Sequence, residues 1–293
     1  MEHFEGRVAV ITGGASGIGL AMAKRFAVAG MSLVIADVDA DALVVAAGEI
    51  EAVGAPVTTV LADVSRLVDV ERIAAAALDA FGAIHLACNN AGVATGGVTW
   101  EMSDADWRWV LDVDLWGVVH GIRTFTPHII EAGGGHVVNT ASMAGVTSPP
   151  FMGPYNAAKH AVVAISETMF HELAVLAPAV GVSVLCPGWV RTGIHRSERH
   201  RPTVGEHASS QGSASDPEAP VAGGAGSIAS EMSSIIGGFV EQGLDPADVA
   251  ETVFEAVRDR RFYVLTHPEW ANGVRRDVER MLTGQDPVSP IGV

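Results

Sequence analysis

Near its start the chain runs from a short apolar stretch, Val8–Ile11, directly into Thr12-Gly13-Gly14-Ala15-Ser16-Gly17-Ile18-Gly19, and from there into a stretch of helical period, Ile18–Ala29. Glycines at 13, 17 and 19 permit a tight turn and let backbone N–H groups come close to a bound group. The helix after the turn points its partially positive end toward the same place, so the unit suits an anion such as a pyrophosphate. The turn alone does not name the ligand, because many strand-to-helix joints use glycine.

The same alternation continues along the chain. Strands are expected at Val8–Ile11, Ser32–Ala36, Val57–Leu61, His85–Cys88, His136–Thr140, Val182–Cys186 and Phe262–Leu265, each an unbroken apolar run of the kind buried on both faces. Helices are expected at Ile18–Ala29, Ala40–Val53, Leu67–Phe81, Asp104–Glu131, Tyr155–Leu176 and Pro246–Arg258. This order predicts an α/β chain with a doubly wound parallel sheet of about seven strands, flanked by helices and built as a single domain over 1–293. A ligand site then belongs beyond the carboxyl ends of the strands. The alternation lapses over 193–240, where His195, Arg196, Arg199, His200 and Arg201 give way to Gly, Ser, Ala and Pro; a substrate lid or flexible insertion is expected there.

Charge narrows the partners. The chain of 293 residues carries 34 acidic and 18 basic residues, a net charge of −16, which argues against nucleic acid, whose binding draws on clustered Lys and Arg. Hydrophobic residues make up 48%, but no run approaches the ~20 apolar residues of a membrane span. Met1-Glu2-His3-Phe4-Glu5 lacks the basic start and apolar stretch of a signal peptide, so a cytoplasmic protein with no membrane partner is expected. Cys88 and Cys186 read as small buried hydrophobes. None of the eleven histidines has a ligand-like spacing, and no metal is expected.

The second strand ends at Asp37, 18 residues after Gly19. A carboxylate there can accept both hydroxyls of an adenosine ribose and repels a 2′-phosphate, which points to NAD(H) over NADP(H). Asp39 fits the role of capping the next helix better. Tyr155 and Lys159, four apart on an expected helix, project from one face. An ammonium near a phenol favours the phenolate, lowering a pKa of about 10 toward a useful range, and the pair makes a plausible general acid and base.

Further motifs fall at strand ends: Asp63-Val64 after the third, Asn89-Asn90-Ala91-Gly92 after the fourth, Ser142 after the fifth and 13 residues before Tyr155, and Pro187-Gly188-Trp189-Val190-Arg191-Thr192 after the sixth. With these in order, the sequence resembles the short-chain dehydrogenase/reductase family, closely over about 5–192 and more loosely beyond. The resemblance implies that Tyr155 exchanges the hydroxyl proton, that Lys159 holds the nicotinamide ribose and tunes the phenol, and that Ser142 hydrogen-bonds the substrate oxygen. It also implies a cofactor set of Gly13, Ser16, Gly17, Ile18, Gly19, Asp37, Asp63, Val64, Asn90, Tyr155, Lys159, Pro187, Gly188, Val190 and Thr192. Within that set Asp63 and Val64 face the adenine, Asn90 the adenosine side, and Val190 and Thr192 the carboxamide, while Asn89 ties neighbouring strands together.

One position departs from the family pattern. Where an Asn is usual in the long fourth helix, this chain has Asp114, within Val113-Asp114-Leu115. An ionised Asp only accepts hydrogen bonds. Asp114 is therefore expected either to orient a relay water while stabilising the Lys159 ammonium, or to weaken the relay.

The expected function is oxidation of a secondary alcohol, or reduction of the matching carbonyl, with NAD(H). If Met143, Ala144, Pro149, Pro150, Phe151, Met152 and Trp189 line the pocket, the substrate is lipophilic or aromatic; the basic cluster at 195–201 is either a place for an anionic group or a solvated hinge. Alternatives are an NADPH-dependent ketoreductase of acyl or polyketide intermediates and a dinucleotide sensor without turnover. Trp100, Trp107, Trp109 and Trp116 are expected to pack in the core or at a subunit interface, and Tyr263 to pack in its strand. A homodimer or homotetramer is a further expectation from the resemblance.

Overall fold

The computed structural model describes residues 1, 3–201 and 237–289. Its seven strands are β1 (Val8–Thr12), β2 (Ser32–Asp37), β3 (Val57–Leu61), β4 (Leu86–Asn89), β5 (Gly135–Thr140), β6 (Val180–Cys186) and β7 (Tyr263–Leu265). They form one sheet in the order β3-β2-β1-β4-β5-β6-β7, and every neighbouring pair is parallel. The chain therefore reverses its direction of travel between β1 and β4, and the crevice at their carboxyl ends is where a ligand fits in such sheets.

The helices are α1 (Gly17–Val28), α2 (Ala40–Glu51), α3 (Leu67–Phe81), α4 (Asp104–Leu111), α5 (Gly117–Glu131), α6 (Gly153–Leu176), α7 (Pro246–Asp259) and α8 (Ala271–Leu282). Alternate strand residues serve opposite faces. Ala9, Ile11, Leu33 and Ile35 pack with Met22, Phe26, Leu43 and Val253 of α1, α2 and α7. Val10, Val34, Ala87 and Val137 pack with Ile73, Phe125 and Met169 of α3, α5 and α6. Each fully buried Ile or Leu in these layers contributes about 1.5–3 kcal/mol. Cys88 and Cys186 are buried free thiols, as expected, and burial pushes the Cys186 thiol up to about 12.

Three local expectations are corrected. Strand β4 begins one residue later than expected, at Leu86, and the His85 side chain just before it accepts from Val8 N through Nδ1 at 3.1 Å. The helix expected over 104–131 is interrupted at Asp112–Trp116 by a π-helical turn, which inserts extra backbone and rotates α5 relative to α4. Tyr263 is half-exposed at the edge of the sheet, where its hydroxyl donates to Glu167 Oε1 at 2.6 Å. The expected lid over 193–240 falls mostly on 202–236, outside the described residues. No described helix is long and apolar enough to cross a membrane.

Candidate active site

At the end of β1 the chain turns through Gly13, which adopts a φ of +62°. A Cβ on Gly19 would lie 1.9 Å from Gly13 O, so the first turn of α1 closes on the loop only because residue 19 has no side chain. Asn90 braces this turn from β4, donating from Nδ2 to Thr12 O at 3.1 Å and to Gly13 O at 3.4 Å. Helix α1 has no acidic residue in its first turn, and Ser16 at its N-cap makes no side-chain capping bond. Its leading N–H groups are left for an anion.

Asp37, the last residue of β2, is gripped by backbone. Its Oδ2 accepts from Ala15 N at 3.2 Å, and its Oδ1 accepts from Val38 N at 2.8 Å and Asp39 N at 3.2 Å. The carboxylate thus stands fixed beside the glycine turn with lone pairs to spare for ribose hydroxyls. Asp39 caps α2 by accepting from Ala42 N at 3.0 Å, as expected. Asn89 Nδ2 donates to Asn139 Oδ1 at 2.8 Å, tying β4 to β5.

On the other side of the crevice, α6 carries Tyr155 and Lys159 on one face, and β5 leads to Ser142. The Lys159 Nζ lies 5.4 Å from the Tyr155 ring centroid and donates to Thr140 O at 3.2 Å. Ser142 caps a 3-10 turn, Met143–Gly145, its Oγ accepting from Ala144 N at 3.1 Å and donating to Pro187 O at 3.4 Å. That bond fixes the hydroxyl at the mouth of the loop after β6.

The π-helical turn delivers Asp114 into this group. Its carboxylate is fully buried; Oδ1 accepts from Val93 N at 2.8 Å, and Oδ2 lies 3.1 Å from Lys159 Nζ. The second contact is an ion pair without the alignment of a directed hydrogen bond. Burial would lower the Lys159 pKa, but Asp114 and Tyr155 together outweigh it and hold the ammonium above its ordinary value. Burial holds the Asp114 carboxyl above the usual range while Lys159 opposes that rise. The Tyr155 phenol also lies above its ordinary value: burial raises it, Lys159 draws it down, and Asp114 adds to the rise. The expected net lowering of the phenol by Lys159 is therefore corrected, because desolvation of a buried phenolate exceeds the attraction of an ammonium already paired with a carboxylate.

These groups share one cavity of about 1200 Å³, lined at one end by Gly13, Ser16, Gly17, Ile18, Asp37, Asp63, Val64 and Asn90, and at its centre by Ser142, Tyr155, Lys159, Pro187, Gly188, Val190 and Thr192. Gly19 and Asp114 stand behind the wall. A volume beyond the ~300–1,000 Å³ of a single-ligand pocket has room for a dinucleotide and a second molecule. The glycine cradle and the backbone-held Asp37 fit an adenine dinucleotide.

The far end is apolar. Met143, Ala144, Pro149, Met152 and Trp189 line it as expected, whereas Pro150 and Phe151 do not. Trp109, expected to be packing, is buried yet forms part of this wall, while Trp100 is exposed. Phe239 stacks on Trp189 with centroids 5.2 Å apart, and Trp270 meets Trp189 edge-on at 6.4 Å. Trp270, Gly273 and Arg276 come from the region of α8, a helix that the sequence expectations above do not include. Its signal is present in Trp270, Val274, Val278 and Met281, which recur at helical spacing. Among the described residues no group of His, Cys, Asp or Glu is arranged to hold a metal.

The chain belongs to the short-chain dehydrogenase family, whose model matches residues 7–203. It is 34% identical over 289 residues to a CLA biosynthesis dehydrogenase/reductase of Lactiplantibacillus plantarum, covering 98% of this chain and 97% of the relative. It is 38% identical over 270 residues to a 1-deoxy-11-beta-hydroxypentalenate dehydrogenase of Streptomyces exfoliatus, covering 91% and 85%. A crystal structure of a short-chain dehydrogenase/reductase from Burkholderia phymatum in complex with NAD superposes with a TM-score of 0.91 at 43% identity, covering 100% of both chains. The protein is thus an oxidoreductase of this family.

Proposed function

We propose that this chain, acting as one catalytic domain, uses NAD(H) to interconvert a lipophilic secondary alcohol and its carbonyl compound. The observation that carries the reading is the convergence of Ser142, Tyr155 and Lys159 on the centre of a cavity whose other end is the glycine turn and Asp37. The NAD complex of the Burkholderia phymatum relative and the dehydrogenase names of the others support it.

Gly13, Ser16, Gly17, Ile18 and Gly19 would hold the pyrophosphate, Asp37 the adenosine ribose, and Asp63, Val64 and Asn90 the adenine side. Pro187, Gly188, Val190 and Thr192 would hold the nicotinamide end together with Tyr155 and Lys159. Bound NAD supplies the hydride acceptor, the part of the chemistry that no side chain can perform. Ser142 Oγ, turning its proton away from Pro187 O, would donate to the substrate oxygen and align it. In oxidation the Tyr155 phenolate takes the hydroxyl proton; in reduction the phenol gives one back. The Lys159 ammonium steadies the phenolate, and Asp114 keeps that ammonium charged inside a dry site. Asp114 is a positioning residue that acts through Lys159.

Trp116, Ile130, Phe170, Val175 and Leu176 leave apolar surface exposed on α5, α6 and the turn before α5, which supports a homodimer or homotetramer. Sedimentation equilibrium tests that point. The activity itself is tested by NAD reduction with lipophilic secondary alcohols, with Tyr155→Phe as the silent control.

A further inference from the structure

Several arginines gather on the cavity wall. In a protein with net charge −16, Arg108, Arg199, Arg201 and Arg276 line the cavity, with Asp104, Asp106, Glu198 and Asp277 against three of them. Three of the four guanidiniums are engaged. Arg201 is paired with Asp106 and Glu198 and lies 5.0 Å over the Trp109 ring. Arg108 faces Asp104 at 3.9 Å, and Arg276 meets Asp277 through Nε at 3.3 Å, which leaves its terminal nitrogens out of that pair.

Arg199 differs. Its Nε donates to His200 Nε2 at 2.7 Å, and it has no carboxylate partner among the described residues. Its two terminal nitrogens lie beside Gly193, 3.7 and 3.9 Å from where a Cβ would stand, on the cavity wall that continues from Thr192. Trp109, Met152 and Ile194 pack with Tyr155 in one apolar cluster, and Trp189, Phe239 and Trp270 line the same cavity.

We propose that the substrate is amphipathic: a secondary alcohol or ketone whose apolar body spans the aromatic wall and whose far end carries a carboxylate received by Arg199, with Arg276 as a second cation. The inference rests on the alcohol-oxidising reading above and adds the substrate class to it. A guanidinium fork matches a carboxylate through two parallel N–H donors, which suits an end group that must be oriented from a distance. Two observations meet here: a guanidinium fork with no carboxylate partner among the described residues, and apolar and aromatic side chains that line the same cavity as the proton-handling groups.

The test uses secondary alcohols of increasing chain length with the hydroxyl beside one terminal methyl, each as the free terminal carboxylate and as its methyl ester. Wild type is expected to show a lower KM for the carboxylate than for the ester at one chain length or more, with the advantage shrinking as salt is raised, because exposed charges are screened. Arg199→Ala should raise the KM of the carboxylate on the order of fivefold, the scale of an exposed ion pair. It should leave the ester within twofold, and Arg199→Glu should widen the gap. Unchanged turnover of the esters shows that the variants are folded. Equal KM for acid and ester at every length, or an acid-to-ester ratio indifferent to Arg199→Glu, overturns the carboxylate proposal while leaving alcohol oxidation standing. Absence of turnover with every member of both series overturns the two readings together.

Discussion

Lys159 Nζ stands 3.1 Å from Asp114 Oδ2, and both side chains are sealed from solvent. A neutral residue at 114 would leave the ammonium to share its charge with the phenol and backbone alone. In this chain a carboxylate takes part of that charge, so Lys159 stays protonated while its pull on Tyr155 is reduced. The phenol lies above its ordinary value chiefly because it is buried, and Asp114 adds to the rise. Oxidation, which needs the phenolate, should gain rate as pH rises, and reduction, which needs the phenol, should hold its rate at neutral pH.

Asp114→Asn removes a negative charge that raises both Tyr155 and Lys159. Both groups then titrate lower, and the rising limb of alcohol oxidation moves to lower pH. A pH–rate profile that superposes on wild type would take Asp114 out of the proton-handling set.

Asp114→Ala separates structure from catalysis. It strands the Lys159 ammonium and the Val93 N–H in a dry site, and breaking a buried pair from one side costs about 3–5 kcal/mol. Urea denaturation should show that loss for Ala and a clearly smaller one for Asn, whose Oδ1 can still accept a hydrogen bond.

Asp37→Asn keeps much of the backbone cradle and drops the charge. The penalty on a 2′-phosphate then falls, and the preference for NAD over NADP should narrow by at least about tenfold. Steady-state kinetics with each cofactor at a fixed alcohol concentration measure the change, and an unaltered ratio would place cofactor choice elsewhere.

His136, fully buried in β5, shares a hydrogen bond with Ser183 Oγ at 2.8 Å, and burial holds its pKa down at about 3. An unfolded His binds its proton near a pKa of about 6.5. Between these values the unfolded chain carries the extra proton, so stability falls as pH drops below about 6.5, by up to about 1.4 kcal/mol per pH unit from this one group. His136→Gln should lose that part of the slope in denaturation midpoints taken from neutral to mildly acidic pH.

Much of this architecture is legible in the sequence because it rests on local signals. Strand runs such as Val8–Ile11 are apolar because both faces are covered, and the carboxyl-end positions of Asp37, Ser142 and Asn90 are set once the strands are placed. The remainder depends on relations that no local pattern records. The π-helical turn at Asp112–Trp116 is a choice of backbone register, and it is what seals Asp114 against Lys159. The upward displacement of Tyr155 arises from burial, which is set by every element around it. Helix α8 is readable from its spacing, but its contribution of Trp270 and Arg276 to the cavity is a tertiary fact.

Tyr155 is proposed to handle the hydroxyl proton in NAD-linked oxidation of a secondary alcohol. Initial rates of NAD reduction should be compared in wild type and Tyr155→Phe, with NAD binding to both measured by calorimetry. A drop in kcat of about 10²–10⁴-fold is expected in the variant, the range of a lost general base, with NAD affinity within a few-fold of wild type. Comparable rates in the two proteins would contradict it, as would the absence of NAD reduction by wild type across the whole panel of alcohols.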